Sequence, residues 1–320
     1  MSQNIDLVQA AKLLYEKDRF TIICHASPDG DTLGGAYALC GALQKMQKRA
    51  KVVTPEAASM RFDYLKEAVS PDEDFGEEYV VTIDTADAAL LGDMEEKYKT
   101  SVDLCIDHHV SNTGYAELLL LDSSAAAACE IVFELIKKLS ALHGQDLINS
   151  DIAACLYTGI STDTGCFRFA NTTAKSHRRT AELMDYGFDS EALNYLLFEM
   201  RTKERLLIEK QALESVEFYF GGKCAIITLT KEMLEATDDE DVNAISALPK
   251  QIYGAELGVT FKEKGGGVWK ISLRSKGNID SQKICAVFGG GGHMRAAGCR
   301  VKGTLEENKE KLLKEIEKYM

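Results

Sequence analysis

The sequence predicts an α/β protein in which a doubly wound, mainly parallel sheet precedes a smaller α/β domain with a mixed or antiparallel sheet. Strand-like and helix-like runs alternate as far as Gly187. Beyond it the alternation gives way to a charged helical stretch and then to hairpin-like runs. A chain of 320 residues with 45% hydrophobic content suits about two domains.

The first half of the chain supplies the alternating elements. Leu7 and Leu14 belong to an apolar pattern of helical spacing that predicts a helix over 4–17. The apolar run 20–24 predicts a strand, and Thr32 is the expected N-cap of a helix over 32–46. The same reasoning predicts strands at 51–53, 79–83, 102–106 and 118–121 and helices at 125–142 and 151–159. Such alternation indicates parallel strand pairing.

The second half has a different pattern. We predict a strand at 224–229, then strands at 255–262 and 268–274 that form a hairpin around the glycine-rich turn 264–267. A helix is predicted at 281–288. The predicted organisation is an N-terminal domain over 1–188, a charged helical linker over 189–218 and a smaller domain over 219–320.

Composition narrows the function classes. The formal net charge of −13 argues against a general binder of long nucleic acids, which usually presents a basic face to the phosphate backbone. The nine cysteines include no CxxC pair and several lie in apolar runs, as expected of a reduced, cytoplasmic protein. The sequence shows neither a signal-like N-terminus nor 18 uninterrupted apolar residues, so secretion and membrane insertion are not expected.

Acidic and histidine clusters follow several predicted strands. They are His25 to Asp31, Asp84, Asp107 to His109, and Asp163 after the helix predicted at 151–159. Because ligands bind beyond the carboxyl ends of parallel strands, we expect these side chains to meet at one edge of the sheet. Carboxylates crowded in this way repel each other unless cations offset their charge. The sequence therefore predicts a polynuclear metal site.

A glycine run in the second half suggests an anion site. Gly289 to Gly292 would let backbone amides approach an anion closely, and His293 and Arg295 lie within reach of the same point. A flexible turn is the plainer interpretation of such a run.

Together these motifs carry a resemblance to a known family. The chain resembles the DHH phosphoesterases, named for the Asp-His-His that stands here at 107–109. The second half is similar to the family's C-terminal domain with a Gly-Gly-Gly-His signature, here at 290–293. The motifs occur in the expected order and the resemblance covers nearly the whole chain. It implies that the first domain is catalytic and that the C-terminal domain binds substrate.

The resemblance also implies two divalent cations. Imidazole mixed with carboxylate suits Mn²⁺, Co²⁺ or Zn²⁺ better than an all-oxygen Mg²⁺ site, and Mn²⁺ is the first choice. One cation would be held by His25, Asp29 and Asp84, and the other by Asp31, Asp84, His108 and Asp163. The pair would activate a water for in-line hydrolysis at phosphorus. By the same resemblance, His109 contacts the phosphoryl group or protonates the leaving group, and Asp107 orients a ligand histidine.

The C-terminal domain would supply selectivity. The resemblance implies that a second phosphate or terminal nucleotide is bound by Arg274, Ser275, Gly290, Gly291, Gly292, His293 and Arg295. The implied substrates are nanoRNA, linear dinucleotides such as pApA or pGpG, and 3′-phosphoadenosine 5′-phosphate. Long duplex nucleic acid and membranes are not expected as partners, and a homodimer is possible. The alternatives are a nucleotide- or RNA-binding module without turnover, and a phosphoesterase acting on cyclic dinucleotide or polyphosphate.

Overall fold

A computed structural model describes residues 2–71, 75–235, 242 and 244–320 of the chain. The chain divides into two compact units between Met200 and Arg201. This division lies inside the helical linker expected over 189–218. None of the helices in the described ranges has both the length and the apolar character needed to cross a bilayer.

The N-terminal unit is built on a six-stranded sheet. Its strands are β1 (Gln3–Asn4), β2 (Phe20–Ile23), β3 (Ala50–Val53), β4 (Tyr79–Ile83), β5 (Leu104–Asp107) and β6 (Leu118–Leu121). They lie in the order β1-β6-β5-β4-β2-β3, and every neighbouring pair is parallel. The predicted parallel sheet is confirmed. Only β1 was not predicted, because two residues are too few to show a strand periodicity.

Helices cover both faces of this sheet. They are α1 (Leu7–Glu16), α2 (Gly30–Lys45), α3 (Glu95–Tyr98), α4 (Ala128–His143), α5 (Ser150–Asp163), α6 (Ala174–Met184) and α7 (Ser190–Asn194). Shorter turns of helix lie at Met60–Ala68, Ala88–Met94 and Tyr195–Glu199. Strand residues alternate between two cores: Ile22 packs in the main core with α1, α2, α4 and α5, whereas Ile23 packs with Leu91 and Tyr98 on the thinner face.

The start of α2 differs from the prediction. Asp29, not Thr32, is the N-cap, and its carboxylate accepts hydrogen bonds from the amides of Asp31 and Thr32. The Thr32 hydroxyl instead donates to the Ile83 carbonyl oxygen at 2.8 Å. Both residue types cap helices well. Asp29 takes the position because the Thr32 side chain ties α2 to the end of β4.

Two glycines allow α2 to approach its neighbours closely. A Cβ on Gly34 would lie 2.3 Å from the Cys155 carbonyl oxygen of α5. A Cβ on Gly159 would lie 2.2 Å from Cys129 Sγ and 2.6 Å from Asp31 Oδ1. Close contact of these helices is therefore what places Asp31 beside α5.

The C-terminal unit contains a second, mixed sheet. Its strands are β7 (Glu217–Tyr219), β8 (Cys224–Leu229), β9 (Leu257–Glu263), β10 (Val268–Ser275), β11 (Gly291–His293) and β12 (Ala296–Lys302). The order is β11-β12-β10-β9-β8-β7, with β8 and β9 parallel and the other pairs antiparallel. The described helices of this unit are α8 (Lys203–Glu214), α9 (Lys231–Glu235), α10 (Leu248–Gln251), α11 (Ser281–Val287) and α12 (Leu305–Ile316). The predicted smaller domain with a mixed sheet is confirmed.

The glycine segment is more regular than a flexible turn. Gly291 to His293 form β11, which pairs with the beginning of β12, and Met294 and Arg295 make the connection. Neither strand was predicted. The strand periodicity is hidden because β11 is mostly glycine and β12 begins with Ala-Ala-Gly.

We predict that Gly159→Ala destabilises the N-terminal unit, although alanine has the higher helix propensity by about 1 kcal/mol. The added Cβ overlaps Cys129 Sγ, which lies in a tightly packed core. We expect the free energy of unfolding to fall by about 1–3 kcal/mol, measured by urea denaturation and circular dichroism. Gly76→Ala is the control, because no atom lies within 4 Å of its added Cβ. Equal stabilities of the two variants would contradict this packing.

Candidate metal centre

The acidic clusters lie where the strand order reverses. From β2 the chain continues to β3 on one side, whereas β4, β5 and β6 follow on the other. His25 stands two residues beyond β2, and Asp84 comes directly after β4. Such a switch point leaves a crevice beyond the carboxyl ends of the strands, where ligands bind in open α/β sheets.

His25, Asp29 and Asp84 form one group. The Nε2 atom of His25 lies 3.6 Å from Asp29 Oδ1 and 3.8 Å from Asp84 Oδ2. The other ring nitrogen, Nδ1, lies 2.7 Å from the Ala26 carbonyl oxygen, which fixes the orientation of the ring. The potential ligand atoms lie within 4.8 Å of one another, close enough to share one cation.

A second group surrounds His108. Its Nε2 atom lies 3.2 Å from Asp84 Oδ1 and 3.9 Å from both Asp31 Oδ2 and Asp163 Oδ2. Its Nδ1 atom lies 3.3 Å from the Ala125 carbonyl oxygen. The Oδ2 atom of Asp84 therefore faces His25, whereas Oδ1 faces His108 and also lies 3.4 Å from Nδ1 of His109. Asp84, His108 and His109 form a third group of potential metal ligands. The structure brings together all six residues that the sequence analysis singled out as metal ligands.

Asp31 is held by the beginning of a neighbouring helix. Its Oδ2 atom accepts a hydrogen bond from the Ala128 amide at 2.6 Å, and Oδ1 accepts one from Cys129 at 2.9 Å. No side chain of α4 caps its own first turn, so Asp31 does so from α2. The partial positive charge at a helix N-terminus favours an ionised carboxylate, but Asp31 is only 1% exposed and burial raises its pKa.

Asp84 lies in a conformation and an environment that suit a cation. Its backbone is left-handed, with φ of 59°, and the residue is 5% exposed. Within the described part of the chain, its buried Oδ1 atom accepts no well-aligned hydrogen bond. A buried carboxylate oxygen without a donor is costly. The mixed carboxylate and imidazole donors therefore fit a pair of divalent cations.

The charges in the group shift its protonation equilibria. Burial and the nearby Asp31 raise the pKa of both Asp84 and Asp163 to about 7. Burial alone would lower the histidine pKa values, but the Asp29 carboxylate raises the pKa of His25 to about 9, and Asp84 raises that of His108 to about 10. Without metal, protons on the two imidazoles partly offset the negative charge.

Asp107 contacts the ring of His109. Its Oδ1 atom lies 2.8 Å from Nδ1 of His109, while the His108 ring contacts a backbone carbonyl. Because His109 belongs to a group of potential metal ligands with Asp84 and His108, the role of Asp107 in orienting a ligand histidine stays a prediction. Asn112 donates to the other oxygen, Oδ2, at 2.6 Å. Because Asp107 is fully buried, these contacts fix the His109 ring, which is about half exposed. Its Nε2 atom has no hydrogen-bond partner in the described part of the structure.

Residues that the sequence analysis missed support this site. The side-chain amide of Asn112 donates to Asp107. The side-chain amide of Asn171 donates to two oxygen atoms of Asp163, the backbone carbonyl oxygen at 3.1 Å and Oδ2 at 3.4 Å. Both are amides a few residues beyond a predicted site residue, the only signal that the sequence offers for them. Gly159 gives no signal of its own, because its role depends on the contact with Asp31.

The C-terminal residues of the predicted set lie around β10, β11 and β12. Arg274 and His293 both face Ala296 in the sheet register, so they flank this small residue on the same face. Ser275 is buried, and its hydroxyl donates to the Ile279 carbonyl oxygen at 2.7 Å, so it holds the turn after β10. Arg295 lies exposed in the turn before β12.

Packing explains two of the three signature glycines. A Cβ on Gly290 would lie 2.3 Å from the Gly298 carbonyl oxygen, and one on Gly292 would lie 2.6 Å from that of Ala296. Gly292 also has φ of 134°, where other residues are strained. Only Gly291 faces open space. The predicted approach of an anion to the glycine backbone is therefore best accommodated at this residue.

Comparisons with known proteins agree with this site. Residues 19–160 match the DHH family, N-terminal domain, and residues 224–320 match the DHHA1 domain. The bifunctional oligoribonuclease and PAP phosphatase NrnA of Thermus thermophilus is 34% identical over 300 residues, which cover 92% of this chain and 88% of that protein.

Two solved structures share the fold. An exopolyphosphatase-related protein from Bacteroides fragilis aligns with a TM-score of 0.83 and 23% identity, covering 98% of this chain and 96% of that chain. The exonuclease RecJ bound to manganese aligns with a TM-score of 0.54 and 14% identity, covering 98% and 94%. The predicted family resemblance is confirmed: the chain belongs to the DHH family and carries a DHHA1 domain in its C-terminal unit.

Proposed function

We propose that this chain hydrolyses very short oligoribonucleotides and linear dinucleotides such as pApA or pGpG, and removes the 3′-phosphate of 3′-phosphoadenosine 5′-phosphate. As a member of the DHH family it is a phosphoesterase. The observation that carries the proposal is the complete set of six carboxylate and imidazole ligands at the switch point. The activities on oligoribonucleotides and on 3′-phosphoadenosine 5′-phosphate are those of the Thermus thermophilus relative, and linear dinucleotides are the shortest oligonucleotides of that class.

The two ligand groups would hold two divalent cations, with Asp84 shared between them. When bound, such a pair acts as a Lewis acid on the phosphoryl oxygen and lowers the pKa of water. We propose Mn²⁺, because imidazole and carboxylate donors together suit it better than an all-oxygen Mg²⁺ site.

His109 is the proposed group that contacts the phosphoryl oxygen or protonates the leaving oxygen. Its Nδ1 atom faces Asp107, so the exposed Nε2 atom is the one that can donate to substrate. Asp107 and Asn112 hold the ring in that orientation. The hydrogen bond to Asp107 also raises the pKa of His109, which favours the protonated, proton-donating form.

The C-terminal unit is the proposed selectivity element. Arg274, His293 and the open Gly291 would bind a second phosphate or a terminal nucleotide. We assign catalysis to 1–188 and substrate binding to 219–320. The nine free thiols, eight of them buried, support a reducing compartment, and we propose the cytoplasm.

The first test is a panel of substrates: 5′-phosphorylated diadenylate, 3′-phosphoadenosine 5′-phosphate, a 24-nucleotide RNA, polyphosphate and a cyclic dinucleotide. We expect Mn²⁺-dependent hydrolysis of the first two to exceed that of the others by at least about tenfold, a difference of roughly 1.4 kcal/mol. A chelator should abolish it. Preference for polyphosphate or the cyclic dinucleotide would contradict the proposed substrates. Folded protein that binds Mn²⁺ but hydrolyses nothing would favour a binding module.

Asp84→Asn should separate metal binding from folding. Asparagine tolerates the left-handed backbone and keeps the shape of the side chain, but it removes the shared charge. We expect kcat to fall at least about 100-fold. The melting temperature without metal should stay equal or rise, because repulsion is relieved, while the increase produced by Mn²⁺ is lost.

The control for Asp84→Asn is Asp122→Asn. Asp122 follows β6 at the same edge of the sheet but lies outside the metal-competent groups. It should retain both the activity and the stabilisation by Mn²⁺. Activity of Asp84→Asn above about a tenth of the control's would contradict the shared-ligand assignment.

The stability of the metal-free protein should fall as pH rises from about 4 to about 10. Asp84 and Asp163, with pKa values of about 7 rather than 3.8, keep protons in the folded state that the unfolded chain has already released. His25 and His108, with pKa values of about 9 and 10 rather than 6.5, extend this difference to higher pH. For each proton that the folded state retains and the unfolded state has released, the free energy of unfolding falls by about 1.4 kcal/mol per pH unit.

Urea unfolding in the presence of a chelator at several pH values measures this dependence. Saturating Mn²⁺ should flatten it above neutral pH, because cations then replace the protons. Stability of the metal-free protein that rises between pH 5 and 9 would contradict the electrostatics described above.

A further inference from the structure

One face of the C-terminal sheet carries cations and no carboxylates. On β10, Trp269, Ile271 and Leu273 point into the core, so the even-numbered residues occupy the opposite face. The register places Arg274 opposite Ala296, Ser272 opposite Gly298, and Lys270 opposite Arg300. Lys270 and Arg300 are exposed.

The sequence around this face is unusually basic for an acidic chain. The segment 268–302 contains seven Lys and Arg residues but a single acidic residue, Asp280, whereas the whole chain has a net charge of −13. Asp280 caps α11 and so lies outside the three strands. Strands β10, β11 and β12 contain no Asp or Glu. A basic stripe of this kind is typical of a surface that contacts phosphates.

The pairing of Lys270 with Arg300 is unfavourable by itself. Like charges directly opposite on neighbouring antiparallel strands destabilise a sheet. Neither side chain has a hydrogen bond or an ion pair with any described residue. The same register continues to Lys262 on β9, which is buried and has an interaction of its own. An anion bound across Lys270 and Arg300 would offset this repulsion.

Spacing along the strands sets the length of the ligand. Lys270 and Arg274 are four residues apart, so their Cα atoms are separated by roughly 13 Å. The residues between them on this face are small: Ser272, Gly298 and Gly291. At roughly 3.4 Å per stacked nucleotide, this distance spans about four nucleotides, and fewer if the strand is extended. A dinucleotide is too short to occupy both positions.

We propose that Lys270 and Arg300 form a second phosphate-binding position, separate from Arg274 and His293, that binds the backbone of oligoribonucleotides longer than two nucleotides. This inference rests on the proposed function. It makes the β10–β12 face a determinant of substrate length. Lys302, on the same face of β12 as Arg300, extends the positive charge in the same direction.

The test compares Lys270→Ala/Arg300→Ala with Lys311→Ala/Lys314→Ala. The control removes the same charge from α12, whose Leu312 packs on the opposite, apolar face of the sheet. We measure kcat/KM with Mn²⁺ for 5′-phosphorylated pentaadenylate and diadenylate. We expect the pentamer-to-dimer ratio to fall at least about tenfold in the first variant and to keep the wild-type value in the control.

A binding measurement makes the inference independent of catalysis. The dissociation constant of fluorescein-labelled pentaadenylate, measured in chelator at several salt concentrations, should increase in the Lys270/Arg300 variant. The slope of the logarithm of the binding constant against the logarithm of the salt concentration should become shallower by about 1.4, which is about 0.7 for each lost phosphate contact on a single strand. The melting temperature should not decrease, because removal of the like-charged pair costs no favourable contact.

The outcomes separate the two proposals. An unchanged ratio with unchanged pentamer binding overturns the second phosphate position, and so does an equal loss for pentamer and dimer. Weaker binding of polyphosphate with unaffected pentaadenylate also overturns it, because the position would then serve another phosphate chain. A wild-type protein that hydrolyses neither oligonucleotide contradicts the proposed function, while pentamer binding still decides this inference.

Discussion

The repulsion among the carboxylates of Asp31 and Asp84, which are buried, and of Asp163, which is partly buried, is the constraint on which the N-terminal unit depends. Each lies at the end of a regular element: near the beginning of α2, directly after β4, or at the last residue of α5. A flexible loop would let such charges move apart, whereas helices and strands that are packed in one core cannot separate them without losing apolar contacts. The packing of the sheet and its helices therefore opposes the repulsion among these carboxylates, and bound cations would reduce that repulsion.

The close approach of helices is the structural means of holding the charges together. Gly34 and Gly159 each disfavour the helical conformation by about 1 kcal/mol relative to alanine. Because they lack a side chain, α2, α4 and α5 come close enough for Asp31 to accept hydrogen bonds from the first amides of α4. The amides offset part of the carboxylate's charge, and they also fix its position. A residue with a side chain at position 159 would push Asp31 away from both. The packing of α2, α4 and α5 therefore determines the position of Asp31 in the candidate metal site.

Sequence periodicity predicted β2, β4, β6 and β8 closely, because apolar runs of that length have few alternative structures. It wrongly predicted Thr32 rather than Asp29 as the N-cap of α2, because the contact between Thr32 and β4 depends on tertiary structure. It also missed β11 and β12, whose glycine and alanine residues carry no strand signal. The six ligand positions were predicted from motif order. The supporting contacts of Asn112, Asn171 and the Ala125 carbonyl were not, because they depend on tertiary structure.

Net charge alone gives an incomplete account of what this chain binds. A value of −13 excludes a uniformly basic surface, but it averages an acid-rich N-terminal site with a C-terminal sheet face that has cations only. Phosphate esters are anions, so the carboxylates that would hold cations repel them in the absence of metal, whereas a cationic surface attracts them. The charged side chains of β10 and β12 are all cationic. Under the proposed second phosphate position, the spacing of these cations, rather than the total charge, would determine which phosphate chains are held.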